Sequence, residues 1–243
     1  MSTRPLTVVT GGSRGIGAAT CRRLAADGHD VVIGYRSAAR AAAETATAVR
    51  ASGARCAVVE LDTSDLDGVD RLFDAAAELG RVTGLVNNAA ITGPVGRLVD
   101  VPADELLRVF EVDVVGCLLC ARRAALDMAG GGGGSIVNVS SIAAALGAPG
   151  EYVHYAGAKA AVEAITVGLA KELAPDGIRV NAVAPGTTWT DIHADPDRPS
   201  KVAATVPLGR AAQPEEIAAA IAWLLGDDAS YTSGAVLRVA GGL

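Results

Sequence analysis

Short apolar, β-branched runs alternate with Ala-rich helical stretches along the whole chain. The runs fall at 6–10, 30–34, 56–61, 84–87, 135–140, 179–184 and 236–239. Most are continuously apolar rather than alternating, which predicts strands buried on both faces of a parallel sheet. Helical periodicity predicts helices at 15–27, 38–52, 65–79, 104–128, 152–173 and 213–225. Strand and helix alternating with short connections imply right-handed βαβ crossovers. The expected architecture is α/β: a doubly wound, seven-stranded parallel sheet with helices on both faces, one domain over 1–243. The rhythm breaks at 185–208, where prolines, Thr, Trp, Asp and His follow one another without period. Such a segment after a late strand lies at the carboxyl edge of the sheet, where ligands bind in these folds. It is expected to cover the substrate.

Composition narrows the class. The 243 residues are 50% hydrophobic but only 3% aromatic, so the core must be Ala, Val, Leu and Ile. A net charge of −6 without Lys/Arg runs argues against nucleic-acid or anionic-membrane partners. Residues 128–150 carry no charge, but the five consecutive glycines at 130–134, Asn138, Ser140, Ser141 and Pro149 suit loop, strand and loop rather than a membrane helix. No secretory signal is visible at the N-terminus, so a cytoplasmic protein is expected. Cys117 and Cys120 form a C-x-x-C inside a helical pattern with no second pair, and read as core thiols rather than a metal site.

Thr10-Gly11-Gly12-Ser13-Arg14-Gly15-Ile16-Gly17 leaves the first strand and opens the first helix. Glycines there allow a tight turn and close backbone approach to a pyrophosphate, and the helix start offers free N–H groups and a positive dipole end. The same residues spell G-x-S-x-G, a hydrolase nucleophile elbow around Ser13. That rival needs a histidine, and only His29, His154 and His193 exist; the first-strand position also leaves no preceding loop for an oxyanion donor. The second strand runs into Tyr35-Arg36-Ser37, with no acid where NAD-binding folds hold the ribose; Arg36 lies 19 residues past Gly17. Arg14, Arg36 and Ser37 suit a 2′-phosphate, which favours NADP(H) over NAD(H).

Tyr155 and Lys159 stand four apart, on one face of a helix, soon after Ser140-Ser141. An ammonium beside a phenol stabilises its phenolate, fitting Tyr155 to exchange a proton with a carbonyl or alcohol oxygen while a serine hydroxyl polarises that oxygen.

With these motifs the chain resembles the short-chain dehydrogenase/reductases. The match runs through TGGSRGIG (10–17), LDTSD (61–65), VNNAA (86–90), IVNVSS (136–141), YAGAK (155–159), RVNAVAPG (179–186) and the GG at 241–242. The pattern is similar to 3-oxoacyl-carrier-protein reductases and glucose 1-dehydrogenases. The resemblance implies a Rossmann fold with Tyr155 as general acid/base, Ser141 as its oxygen-polarising partner, and Lys159 lowering the phenol and touching the nicotinamide ribose. It implies that Asp62 with Thr63 recognises adenine, that Asn88, Ala89 and Ala90 lie near the adenine ribose, and that Pro185, Gly186, Thr188 and Thr190 border the nicotinamide. It further implies a homotetramer (or homodimer) pairing the helices at 104–128 and 152–173, with Val114, Val115, Leu118, Leu119, Ala121 and Ala125 available for the contact. A carrier-protein partner would need basic residues near the mouth; Arg122 and Arg123 are the only local pair, and a solvated helix face is the reading favoured for them. The expected partner is a small carbonyl or alcohol: a 3-oxoacyl thioester, sugar, steroid or other small ketone.

The sequence departs from the family at three places. Ala90 replaces a glycine, a tolerable methyl if φ is negative there. Ser141 and Tyr155 are 14 apart rather than the commoner 13, and the GAPGEYVHY stretch between them is expected to absorb the extra residue and shape the substrate mouth. Asp113 stands where the family has Asn, in the relay beside Lys159. Asp is nearly isosteric but lacks the amide donor; the expectation is an active enzyme with an altered pH profile. The alternative is a nucleotide-binding regulator or scaffold whose turnover Asp113 impairs.

Overall fold

The computed structural model describes residues 4–192 and 195–243; His193, which the elbow reading would require, lies outside them. All seven expected strands form: β1 Leu6–Thr10, β2 Asp30–Tyr35, β3 Cys56–Glu60, β4 Val82–Asn87, β5 Gly134–Val139, β6 Ile178–Pro185 and β7 Val236–Val239. They pair in parallel in the order β3-β2-β1-β4-β5-β6-β7. The chain direction of successive crossovers reverses between β1 and β4, so the loops leaving these two strands diverge and open a crevice at their carboxyl ends.

Burial on both faces explains the unbroken apolar runs. Along β1 and β2, Val9, Val31 and Ile33 pack with Cys21 and Leu24 of α1 (Gly15–Ala26), Val49 of α2 (Ala39–Ala51) and Ile217 and Ile221 of α9 (Pro214–Leu225). The alternate residues Val8 and Val32 join Leu72 and Phe73 of α3 (Leu66–Leu79) and Cys120 and Met128 of α5 (Gly116–Ala129). Helix starts are fixed locally: the Asp65 carboxylate accepts the N–H groups of Asp67 and Gly68 to cap α3, and Gln213 and Glu216 form a capping box on α9.

Two expected helices differ from the pattern. The one at 104–128 is α4 (Ala103–Phe110), a π turn (Glu111–Val115) and α5. The wider turn is closed by the Gly116 N–H donating to the Glu111 carbonyl, five residues back. Gly116 permits the close approach of this turn to the β3 end, since a Cβ there would lie 2.7 Å from Thr63 Oγ1. The helix at 152–173 is α7 (Val153–Glu172), preceded by a single turn, α6 (Ala143–Leu146). Between them Gly147, Ala148 and Gly150 all have positive φ, +75°, +43° and +75°.

The irregular segment after β6 contains the short helix α8 (Arg198–Val202) and is tied back by a parallel bridge between Thr188 and Ala212. Among the described residues no helix is long and apolar enough to cross a membrane, and no group of His, Cys, Asp and Glu could hold a metal. Cys117 and Cys120 are buried free thiols, and burial pushes Cys117 up to about 12.

Phe73 is fully buried between α3 and the sheet. Phe73→Ala is expected to cost about 3–5 kcal/mol, read as a lowered denaturant midpoint at unchanged m-value; a loss below about 1 kcal/mol would mean the cluster is not packed as described.

Candidate active site

One cavity of about 460 Å³ runs along the carboxyl edge of the sheet, from the glycine turn past β5 to the segment after β6. At one end lies the turn from Gly11 to Gly17. Gly17 is needed for tightness: a Cβ there would sit 2.2 Å from the Gly11 carbonyl oxygen. Gly15 adopts φ +54°, a conformation that side chains other than glycine's rarely take. Among the described residues no side chain caps the start of α1, and no acid stands in its first turn, so its N–H groups and dipole end are turned to the cavity that Gly11, Ser13, Arg14, Gly15 and Ile16 line. This fits a nucleotide diphosphate.

At the end of β2, Tyr35, Arg36 and Ser37 line the same cavity. The Tyr35 hydroxyl is turned aside, donating to Glu60 at 3.2 Å. Arg14 and Arg36 are exposed and make no ion pair among the described residues, leaving both guanidiniums available to a ligand phosphate. Beyond β3, Asp62 and Thr63 line the cavity. Asp62 is strongly engaged: Ser64 donates its N–H at 3.0 Å and its hydroxyl at 2.7 Å, and Arg108 of α4 pairs with the other oxygen. Burial alone would raise this carboxyl; Ser64 and Arg108 hold it below the usual value.

Asn88 lines the cavity but its side chain is a strut. Its amide donates to the Thr10 and Gly11 carbonyls at 3.0 Å each, while Thr10 Oγ1 accepts the N–H groups of Asn88 and Ala89. The β4 loop is thereby pinned to the glycine turn. Ala90 is not strained, because among the described non-glycine residues only Ala148 has a positive φ. Pro185, Gly186, Thr188 and Thr190 complete this wall; Thr188 Oγ1 donates to the Gly186 carbonyl at 3.0 Å.

The chemistry-bearing side chains gather where β5 ends. Ser140 faces α7, its hydroxyl placed between the Lys159 carbonyl at 3.2 Å and Glu163 at 2.9 Å. Ser141 faces the cavity: its Oγ accepts the Ala143 N–H at 3.1 Å, which leaves its O–H free to donate. Tyr155 and Lys159 share a face of α7, with Nζ 5.5 Å from the phenol ring centroid. Lys159 is 3% exposed. Its ammonium donates to the Val139 carbonyl at 3.0 Å and faces Asp113 Oδ2 at 3.4 Å. The π turn delivers Asp113 to this point, and its other oxygen accepts the Ile91 N–H at 2.9 Å.

Burial disfavours the Lys159 cation, but the Asp113 carboxylate and the Tyr155 oxygen more than offset this and hold the ammonium above its ordinary value. The phenol departs from the sequence reading. Lys159 and Ser141 pull Tyr155 down, but burial, aided by Asp113, wins and keeps it above its ordinary value. Tyr155 is therefore a neutral O–H donor near pH 7 in the free protein.

Other candidates fall away from this centre. His29 bonds Thr7 at 2.9 Å and His154 bonds the Thr92 carbonyl at 3.0 Å, so neither supports the Ser13 elbow. Arg123 is engaged by Asp70, Asp74 and Asp127, over the Phe73 ring, and neither it nor Arg122 lines the cavity. The sequence reading missed three contacts: Arg108 on Asp62, the Ile91 amide on Asp113, and a Glu151–Arg198 pair at the mouth.

Comparison with known proteins agrees with this geometry. The sequence profile described as Enoyl-(Acyl carrier protein) reductase matches residues 11–243. The chain belongs to the short-chain dehydrogenase/reductase family. It is 45% identical to cis-4-hydroxycyclohexanecarboxylate dehydrogenase of Sinomonas cyclohexanicum, over 97% of this chain and 94% of that one. It is 42% identical to 3beta-hydroxysteroid dehydrogenase 1 of Eggerthella lenta, over 97% and 92%. The crystal structure of a short-chain dehydrogenase from Burkholderia cenocepacia J2315 in complex with NADP superimposes with a TM-score of 0.92 at 35% identity, covering 98% of this chain and 97% of that one. As a short-chain dehydrogenase/reductase the protein is an oxidoreductase of alcohol and carbonyl groups.

Asp113→Leu would leave the Lys159 ammonium buried without its carboxylate. A loss of about 3–5 kcal/mol is expected in chemical denaturation, with Asp113→Asn losing clearly less; equal losses would show that the carboxylate charge does not hold the ammonium.

Proposed function

We propose that this protein is an NADP(H)-dependent oxidoreductase that moves a hydride between the nicotinamide and a secondary alcohol or ketone carbon. The observation that carries the reading is that Ser141, Tyr155 and Lys159 open onto the same cavity as the uncapped start of α1. Bound at that edge, the nicotinamide supplies or accepts the hydride. The amides of the glycine turn hold the diphosphate, Asp62 and Thr63 the adenine, and Thr188 and Thr190 border the nicotinamide. Arg36, with Arg14 and Ser37, holds a 2′-phosphate, the basis of the NADP(H) preference. The two exposed guanidiniums, which make no ion pair among the described residues, support it, as does the NADP bound by the Burkholderia relative.

Ser141 donates to the reacting oxygen and Tyr155 exchanges a proton with it; Lys159 stabilises the phenolate that remains. Because burial keeps Tyr155 protonated, carbonyl reduction is the direction served near pH 7, and alcohol oxidation gains as pH rises. Asp113 keeps Lys159 charged and in place, which supports turnover rather than a regulator that has lost it.

Within the range of 3-oxoacyl thioesters, sugars and other small carbonyls, compact cyclic ketones and alcohols fit best. Ile91, Ile142, Leu146 and Ala148 give this end of the cavity apolar surface beside the polar groups of Thr92, Tyr152 and Thr187. Two relatives are named for secondary alcohols on rings, a hydroxycyclohexane acid and a hydroxysteroid. The apolar exposed face of Leu107, Phe110, Val115 and Leu118 supports assembly as a homotetramer or homodimer; Ala121, by contrast, is core.

Tyr155→Phe is expected to lower kcat by about 10²–10⁴-fold with NADPH affinity unchanged. Arg36→Ala is expected to weaken NADPH by about 10- to 100-fold, the value of charge-assisted bonds, and to leave NADH unaffected. Fluorescence titration and a cyclic-ketone assay measure both; wild-type turnover in Tyr155→Phe would remove the phenol from the mechanism. Asp113 raises Tyr155, so in Asp113→Asn the alkaline rise of the oxidation rate is expected at lower pH than in wild type. A rise displaced to higher pH would reverse the assigned sign.

A further inference from the structure

Three stretches distant in sequence wall the substrate end of the cavity: the loop after β4, the 147–152 loop before α7, and the segment around α8. They are joined at one residue. The Glu151 carbonyl accepts the Gly96 N–H at 2.7 Å, which ties in the β4 loop. The Glu151 carboxylate takes the Arg198 guanidinium in a two-point pair, at 3.1 and 2.5 Å, bringing in α8. Arg198 then reaches the neighbouring residue, donating to the Tyr152 hydroxyl at 2.9 Å with its charge 5.4 Å from that ring's centroid. The Tyr152 ring meets Tyr155 edge-on, centroids 5.6 Å apart at 87°.

Two features distinguish this from an ordinary surface ion pair. Arg198 is 24% exposed and Glu151 40%, so the pair is half-sheltered, and fork-to-carboxylate geometry is the orientation-fixing kind. The loop it holds is also conformationally costly, with Ala148 at φ +43° between two left-handed glycines, and such backbone persists only where surrounding contacts enforce it.

We propose that Glu151 and Arg198 form a latch that closes the substrate mouth and seats Tyr152 against Tyr155. Both are positioning residues: they fix the wall that meets the substrate and so set which carbonyl compounds reach the phenol. The kinetic part of this proposal rests on the oxidoreductase reading above; the latch itself does not.

The test uses the full chain in two arms. Hydrogen exchange, followed by mass spectrometry, compares wild type with Arg198→Met, Glu151→Gln, and the reversed pair Glu151→Arg/Arg198→Glu. The latch predicts that either single variant speeds exchange at least tenfold at Gly96, in 147–152 and in 195–205, leaves β1 and β5 unchanged, and that the reversed pair restores protection. Wild-type exchange in both single variants would overturn the proposal, as would acceleration spread over the whole sheet. The second arm assays cyclohexanone and 4-tert-butylcyclohexanone with NADPH. Arg198→Met is expected to raise KM for cyclohexanone about tenfold with little change in kcat, to narrow the discrimination between the two ketones, and to leave NADPH affinity unchanged, with Arg198→Lys partly restoring KM. An unchanged KM and discrimination would refute the positioning role. If wild type turns over neither ketone, the proposed function is what fails, and hydrogen exchange still decides the latch.

Discussion

The buried ammonium of Lys159 sets the requirements that the surrounding site meets. A charge so removed from water is costly unless carbonyl and carboxylate groups replace its hydration. Val139 at the end of β5 supplies one, and Asp113 on the π turn supplies the other. Meeting these needs fixes the end of β5 against α7 and makes the break between α4 and α5 useful, since the wider turn is what presents Asp113. Ser140 adds a second tie from the β5 end to α7, which engages its hydroxyl with the helix and leaves that of Ser141 to the cavity.

Much of this was legible in the sequence because its causes are local. Continuous apolar runs report strands buried on two faces; Gly11, Gly15 and Gly17 report a turn that admits no side chain; a four-residue spacing reports that Tyr155 and Lys159 share a face. What was not legible depends on partners distant in the chain or on backbone detail that periodicity averages away. A π turn leaves the apolar pattern of 104–128 intact, so a single helix was the natural reading. Arg198 finds Glu151 across 47 positions, and Arg108 finds Asp62 across 46; neither spacing carries a signal. The phenol's direction was missed for a related reason. The pairing of Tyr155 with Lys159 is visible in sequence, but the burial that outweighs it is a property of the assembled cleft.

The two ends of the cavity are built differently. The end at α1 is made of backbone amides and glycines, with little dependence on side-chain identity beyond Arg14, Arg36 and Asp62. The other end is made of side chains from three loops that share no element with the sheet. Substitutions there change the mouth without disturbing strand register, which accords with relatives of more than 40% identity that are named for a cyclohexane acid and a steroid. The Glu151–Arg198 pair lies at this end, while Asp113 lies beside Lys159 at the end of β5.

The most direct test of the account is the fate of the hydride. NADPH carrying deuterium at the transferring C4 position, incubated with cyclohexanone and the wild-type protein in ordinary water, should yield cyclohexanol with one deuterium on the carbinol carbon, detected by mass spectrometry. Reduction without label in the alcohol, or label lost to solvent, would contradict a direct transfer between the nicotinamide and the carbon whose oxygen Tyr155 and Ser141 hold.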